Sequence, residues 1–386
     1  MTDAALTTHS AQRLEYLDGL RALAALAVLV HHAWAMVFPP QYGDSPSGLL
    51  LLTAPAKFGP YGVAVFIILA GFSLTLGVAK RDGHLPGGAW TFIKRRARRI
   101  LPPYYLALIL TILLQLLWLN RKTGTHWDLS VPLDWRGVIT NVLLIQDLVP
   151  FQATNVAYTF WSIAVEWHIY FTFPLLLLVW RRFGYMVAAI SGVALGTLGG
   201  YAAAIFPALE NLHPDFYALF AMGMGACAIA YRRPSWAQRV PWYLVAVAGA
   251  LGWAGFAAFA IPDALSPLAD PDLALGLATC ALLIAVSNSG GVMRRTLSWK
   301  PLAFLGIFSY SLYLVHAPVL QVVWLLLVEP FALPQTASLA VMWFVAVPVS
   351  VGLAYAFHLV AERPFMSNRA VPPHSSSANR NVTRTP

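Results

Sequence analysis

Long apolar runs recur from Leu17 to Val360, broken by short polar or cationic stretches instead of by the alternation of a half-buried sheet. Runs long enough to cross a hydrocarbon layer of about 30 Å lie near residues 17–38, 61–79, 100–119, 159–180, 185–206, 215–231, 242–261, 272–288, 303–328 and 337–360. The pattern predicts an all-α fold, a polytopic bundle of about ten membrane helices. An eleventh stretch, 136–150, is shorter and carries Asn141, Gln146 and Asp147. That suits a re-entrant or surface segment, because polar groups at membrane depth need protein partners. Residues 1–13 are polar and lack the apolar core of a cleavable signal, so the first run is expected to stay in the protein. The expected division is a polar N-terminus (1–13), one membrane domain (14–365) and a disordered tail (366–386) rich in Ser, Asn and Pro.

Composition agrees with the pattern. Of 386 residues, 59% are hydrophobic and 11% charged, with a mean hydropathy of +0.65. An ordinary soluble domain is about a quarter charged, which excludes that class. The net charge of +9 comes from short clusters between runs, not from a basic stripe with interleaved aromatics, so no nucleic-acid partner is expected. Charge also orients the chain, since cytoplasmic loops retain Lys and Arg. With ten spans and both termini inside, twenty cations fall on the cytoplasmic side and four outside (Lys57, Arg121, Lys122 and Arg136), Arg21 within the first span completing the 25. Counting 136–150 as a crossing would invert the later loops and destroy that asymmetry. The two cysteines, Cys227 and Cys280, lie in apolar runs and form no metal or redox motif.

Ionisable groups inside spans are costly and mark sites or pathways. In the first run Arg21 and His32 are eleven residues apart, which puts both on one helix face about 16 Å apart along the axis. His31 points away from that face and is read as a packing residue. In the fourth run Ser162, Glu166 and Tyr170 stack at i, i+4 and i+8. Glu166 falls about 10 Å below the outer interface. In the ninth, Ser309, Tyr313 and His316 share a face. Three runs remote in sequence thus bring a protic group to one depth, with His168 near the same layer. A polar clamp that only fixes helix packing is the competing account. No His or Glu pair at metal-ligand spacing on one helix supports a metal site. The segment KRRARRILPPYY supplies Lys94, Arg95, Arg96, Arg98 and Arg99 at the start of the third run. Forked guanidinium groups at a positive helix end suit a polyphosphate, as in a nucleotide-bearing donor, although positive-inside topology and lipid headgroups also account for cations there.

These residues carry a likeness. YLDGLRALAALAVLVHH, FIILAGFSL, RRARRILPPYYLAL, FWSIAVEWHIYFTFPLLL, LGIFSYSLYLVHAP and AERPF occur in order, and over residues 14–365 the chain resembles the acyltransferase-3 family of integral membrane acyltransferases. The resemblance implies transfer of an acyl group, commonly acetyl, from cytoplasmic acyl-CoA as co-substrate to a hydroxyl of a carbohydrate or glycoconjugate. It implies no permanently bound cofactor, and a location in the cell membrane, inner or plasma. By resemblance Arg21 and His32 correspond to the functional Arg and the catalytic His, and Arg96 with Arg98 to a cytoplasmic Arg-x-Arg element. Glu166, Tyr310 and His316 fall in further motifs, and Asp18 in the opening one. Two positions depart from the pattern. Ala70 stands where Ser is usual, so a hydroxyl is lost there, and Trp167-His168 replaces the commoner Glu-Gln, leaving His168 as an additional candidate. No hydrolase-like domain is expected after the last run. The expected chemistry has the arginines holding the CoA phosphates, His32 taking the acceptor's proton as general base, and Glu166 orienting His32 or stabilising its imidazolium. An acyl-enzyme route remains open. The rivals from other classes are a proton-coupled carrier for a sugar or anionic metabolite, which also fits ten spans with intramembrane charges, and a structural scaffold.

Overall fold

The computed structural model describes residues 14–40, 48–258 and 271–366, and among them there is no β-strand. The expected N-terminal segment 1–13 and the tail beyond 366 lie outside the described residues. The helices are α1 (Glu15–Val37), α2 (Tyr61–Ala79), α3 (Gly88–Leu114), the short α4 (Trp135–Leu143), α5 (Trp161–Phe183), α6 (Tyr185–Ile205), α7 (Pro214–Arg232), α8 (Trp242–Ala258), α9 (Pro271–Asn288), α10 (Lys300–Ile307) and α11 (Ser309–Leu327). A last interrupted helix, α12, runs Gln335–Phe365. Eight helical runs among the described residues are long and apolar enough to cross a membrane; α7, at 19 residues, and the shorter α8 complete the ten expected segments.

Two boundaries differ from the sequence reading. The ninth run does not begin at 303: the chain breaks at Phe308 (φ −112°), which separates α10 from α11. α3 begins at Gly88, behind a left-handed Gly87 (φ +79°), about two turns before the cations start. Nothing between Gly88 and Pro102 stops a helix, so the cationic segment becomes helix interior. The dipole effect fades within the first turn, so the positive helix end expected at the cluster is not there.

Small residues set how closely the helices approach, as is usual where lipid removes the hydrophobic drive between them. A methyl group on Gly71 of α2 would lie 2.1 Å from the Phe220 carbonyl oxygen, and one on Gly223 of α7 2.2 Å from that of Ile68. α1 is equally close to α10 and to the short helix Val292–Leu297 before it: a methyl group on Gly306 would lie 1.9 Å from the Asp18 oxygen, and one on Gly19 1.8 Å from the Leu297 oxygen. α1 also packs on α2 and α11, and α7 on α6 and α9. α3 and α5 stand off from α1, and the space between these helices and α2 and α11 is cavity.

α4 has nine residues, or about 13 Å of rise, too short to cross. It descends beside the middle of α3, where the Tyr104 and Tyr105 hydroxyls donate to the carbonyls of Asn141 (2.9 Å) and Val142 (2.8 Å). Polar side chains satisfy the irregular backbone that follows. Gln146 donates to the Phe160 carbonyl (2.9 Å), and Gln115 of the wide turn ending α3 donates to that of Val156 (2.6 Å). The polar residues that mark 136–150 as a poor span are thus those that hold it in place.

Candidate active site

At the arginine-rich end, Arg21 of α1 donates from Nη1 to Asp18 Oδ1 (2.9 Å) and from Nη2 to Ser73 Oγ of α2 (2.7 Å). Both arms of the guanidinium are therefore fixed. Asp18 is buried, with its backbone wedged against Gly306, so the closeness of α1 and α10 holds the pair in register. From α3, Arg96 and Arg99 enter the same cavity, one turn apart. The Arg96 guanidinium lies 5.9 Å over the Phe92 ring, and its buried Nε has no hydrogen-bond partner. Arg95 and Arg98 are exposed and line none of these cavities. The expected Arg96–Arg98 element is therefore split, because residues two apart on a helix face about 200° apart; Arg99, although exposed, lines the chamber instead.

On the opposite wall, Ser162, Glu166 and Tyr170 of α5 face the cavity together, and the Tyr170 hydroxyl donates to Glu166 Oε1. Glu166 faces Arg21, Arg96 and Arg99, so it belongs to the charged chamber. It makes no hydrogen bond to His32, contrary to the expected orienting role. α11 contributes Ser309, Tyr310 and Tyr313. Ser309 donates to Gly306 O (3.0 Å) and Tyr310 to Ile100 O (3.1 Å), beside Pro102-Pro103, where the α3 ladder lacks two N–H groups. Ser73, one turn beyond Ala70, also lines this chamber, so a hydroxyl is present although position 70 lacks one.

A second cavity of about 580 Å³ lies toward the other end, lined by His31, His32, His126, Tyr158, Trp161 and His213 among others. His32 is joined to His316 of α11 through Nδ1 and Nε2, 2.8 Å apart, with the ring planes 14° from parallel and the ring centroids 5.1 Å apart. His316 Nδ1 is 3.0 Å from the Leu312 carbonyl oxygen. A carbonyl only accepts, so Nδ1 carries the hydrogen. In the neutral ring His316 Nε2 is then an acceptor and receives the His32 Nδ1–H. That leaves the lone pair of His32 on Nε2, which has no hydrogen-bond partner among the described residues. A backbone carbonyl thereby sets the tautomer of a histidine two bonds away.

The depth expected to be common to all three helices is really two layers. His32 and His316 meet in the outer cavity, while Glu166 lies with the arginines. His168 joins neither: its Nδ1 pairs with Asp147 Oδ2 (3.0 Å), tying α5 to the segment that follows α4. His31 donates from Nδ1 to the Ala56 carbonyl (3.0 Å) and forms part of the outer wall. Two contributors come from the segment between α3 and α5. His126 stacks on His32 (5.7 Å, 21°), and Tyr158 meets both rings edge-on at 4.9 Å and 4.5 Å. Neither has periodicity to reveal it, and the signal in the sequence is slight: His126 is the one histidine between His84 and His168. Burial lowers His126 and His213 to about 4, so both are neutral at neutral pH. Among the described residues no group of three or more His, Cys, Asp or Glu side chains is arranged to hold a metal ion.

A family model described as an acyltransferase domain matches residues 14–359. The chain belongs to this acyltransferase family. Acyltransferase MdmB of Streptomyces mycarofaciens is 30% identical over 167 residues, 42% of this chain and 39% of that protein. The peptidoglycan O-acetyltransferase OatA of Listeria monocytogenes is 23% identical over 338 residues, covering 81% of the chain and 50% of OatA. Nodulation protein 10 of Rhizobium leguminosarum is 26% identical over 360 residues, 86% of the chain and 92% of its own length. The chain thus spans half or less of the first two relatives and nearly all of the third. No solved structure matches. Within the acyltransferase family, both the cationic chamber and the histidine cavity fall inside the matched region.

Proposed function

We propose that this multi-pass membrane protein is an O-acyltransferase that moves an acyl group, acetyl foremost, from acyl-CoA to a hydroxyl of a carbohydrate or glycoconjugate acceptor. The observation that carries the reading is the Leu312–His316–His32 chain, which presents a base at the floor of the outer cavity, directly beyond the arginine chamber. Acyl-CoA enters from the arginine-rich end, the cytoplasmic one by the distribution of cations. Arg96, Arg99 and Arg21 face its phosphates, charge-assisted contacts being the strong ones, and the pantetheine arm reaches toward Tyr313. The acceptor occupies the outer cavity with its hydroxyl on His32 Nε2. As that oxygen attacks the thioester carbon, its proton passes to Nε2, and the His32 Nδ1–H stays bonded to His316, which holds the imidazolium in place. Collapse of the tetrahedral intermediate breaks the C–S bond, and the proton held on His32 Nε2 passes to the departing thiolate, which restores the neutral base. The names of relatives such as the peptidoglycan O-acetyltransferases support a glycan acceptor, and the bacterial relatives support a cell-membrane location.

Purified protein with labelled acetyl-CoA and a panel of glycan acceptors tests this. Wild type is expected to release free CoA thiol and label an acceptor, and His32→Ala to stay folded and inactive. Full activity in His32→Ala ends the proposal. No consumption of acetyl-CoA by wild type points instead to a carrier, which cavities at opposite ends also suit.

A further inference from the structure

The two cavities are separated by one thin wall. The arginine chamber continues into a vestibule that shares Arg21, Ser73, Arg99, Ser309 and Tyr310 with it and reaches Leu14 and Met366. The outer cavity reaches Lys57, Leu129 and Thr154 near the other end. Among the described residues, Val63 and Tyr313 alone line both the chamber and the outer cavity. Tyr313 is pinned there: its hydroxyl donates to the Thr159 carbonyl (3.0 Å) and lies 2.6 Å from Ser162 Oγ. With the phenolic hydrogen on Thr159, the Ser162 hydroxyl donates to the Tyr313 oxygen, the nearer of its two acceptors, the other being the Thr159 carbonyl at 3.4 Å. The pair is buried and sits at the junction of the two cavities. Tyr313 is also one turn from His316 on the same helix, with ring centroids 5.7 Å apart, so its place relative to His32 is fixed by α11.

We propose that Ser162 and Tyr313 form both the seal between the two cavities and the hydroxyl pair that receives the acyl carbonyl oxygen during transfer. The second role rests on the acyl-CoA reading above; the first does not. A thioester carried from the arginines and an alcohol held on His32 can meet only at this wall. When the acceptor oxygen bonds to the carbonyl carbon, the π pair moves onto the carbonyl oxygen. The Ser162 O–H turns from Tyr313, and the Tyr313 O–H from Thr159, to donate to that oxyanion. When the pair of electrons returns, the C–S bond breaks, CoA leaves as thiolate and both hydroxyls go back to their resting partners. The wall is thereby restored after each turnover. Two donors fixed on different helices are the usual means of stabilising such an oxyanion.

Two measurements on the full chain decide the matter. In proteoliposomes loaded with a pH-sensitive dye, wild type and Tyr313→Phe are expected to hold an imposed proton gradient, whereas Tyr313→Ala collapses it. A gradient held by Tyr313→Ala overturns the seal. Should that variant not yield monodisperse protein, Val63→Ser opens the other half of the wall and carries the same expectation. In detergent, with acetyl-CoA and methyl glycosides as acceptors, Tyr313→Phe and Ser162→Ala are each expected to lower kcat by about 100-fold with the half-saturating acetyl-CoA concentration changed by less than about threefold. Ser162→Thr is expected to restore most of the loss. Turnover in Tyr313→Phe and Ser162→Ala within about threefold of wild type overturns the oxyanion role. If wild type itself consumes no acetyl-CoA, that role falls with the transfer reading, and the gradient measurement still decides the seal.

Discussion

At the residue scale, the histidine pair behaves as one unit: the Leu312 carbonyl fixes His316, and His316 fixes His32. His316→Ala removes the acceptor that holds the His32 Nδ1–H, so the ring can turn or change tautomer. Turnover is expected to fall by about 100-fold or more, the range in which a positioned base acts, with little change in the half-saturating donor concentration. His316→Gln keeps an acceptor near Nε2 and is expected to recover part of the loss. Wild-type turnover in both variants would show that the orientation of His32 does not matter. The neutral His126 and His213 make a different prediction. Each is held to about 4 by burial, below the ordinary 6.5, so the unfolded chain binds more protons between those limits and stability falls as pH drops through that window. Tm should decline from about pH 6.5 to about 4, and the double variant His126→Gln/His213→Gln should flatten that decline. An unchanged slope would remove both residues from the account.

At the element scale, helical phase decides which cations face the chamber. Arg96, half-buried, and Arg99, exposed, both line the chamber, whereas Arg98 lines none of the cavities described. A charge-assisted contact is worth about 1.5–3 kcal/mol, so Arg96→Gln or Arg99→Gln is expected to raise the half-saturating acetyl-CoA concentration by about tenfold or more. Arg98→Gln is expected to leave it nearly unchanged. The reverse order would mean that α3 sits in another rotational setting when donor is bound. The contacts between α2 and α7 depend on glycine: with backbone oxygens near 2 Å from any added methyl at Gly71 or Gly223, the helices must separate if either becomes Ala. Gly71→Ala is expected to lower the yield of monodisperse protein and its Tm, whereas Gly77→Ala, which faces open space on the same helix, should not.

At the scale of the whole molecule, ten helical segments among the described residues and the short α4 place the arginine chamber and the histidine cavity toward opposite ends. Cysteine substitutions at Lys80 and Lys122, read with a membrane-impermeant thiol reagent in oriented vesicles, are expected to label from opposite sides. Labelling from the same side would require 136–150 to cross or another segment not to.

The helical fold was readable because lipid imposes a simple rule on sequence: a span must be apolar for its full length and a cytoplasmic loop cationic, and both are local properties. The pairing of Arg21 with His32 on one face, and of Ser162 with Glu166 and Tyr170, followed from the helical repeat alone. What the repeat does not contain is the rotation and depth of one helix against another. Glu166 and His32 were assigned to one layer by counting residues from each interface, yet the approach of α1 to α10 and the stand-off of α3 and α5 put them in separate chambers. His126 and Tyr158 reach His32 from an aperiodic segment, which no pattern of local sequence specifies. The chain on its own therefore determined which residues are costly enough to need partners; only the packing decided which partners they found, because that choice depends on contacts between segments hundreds of residues apart.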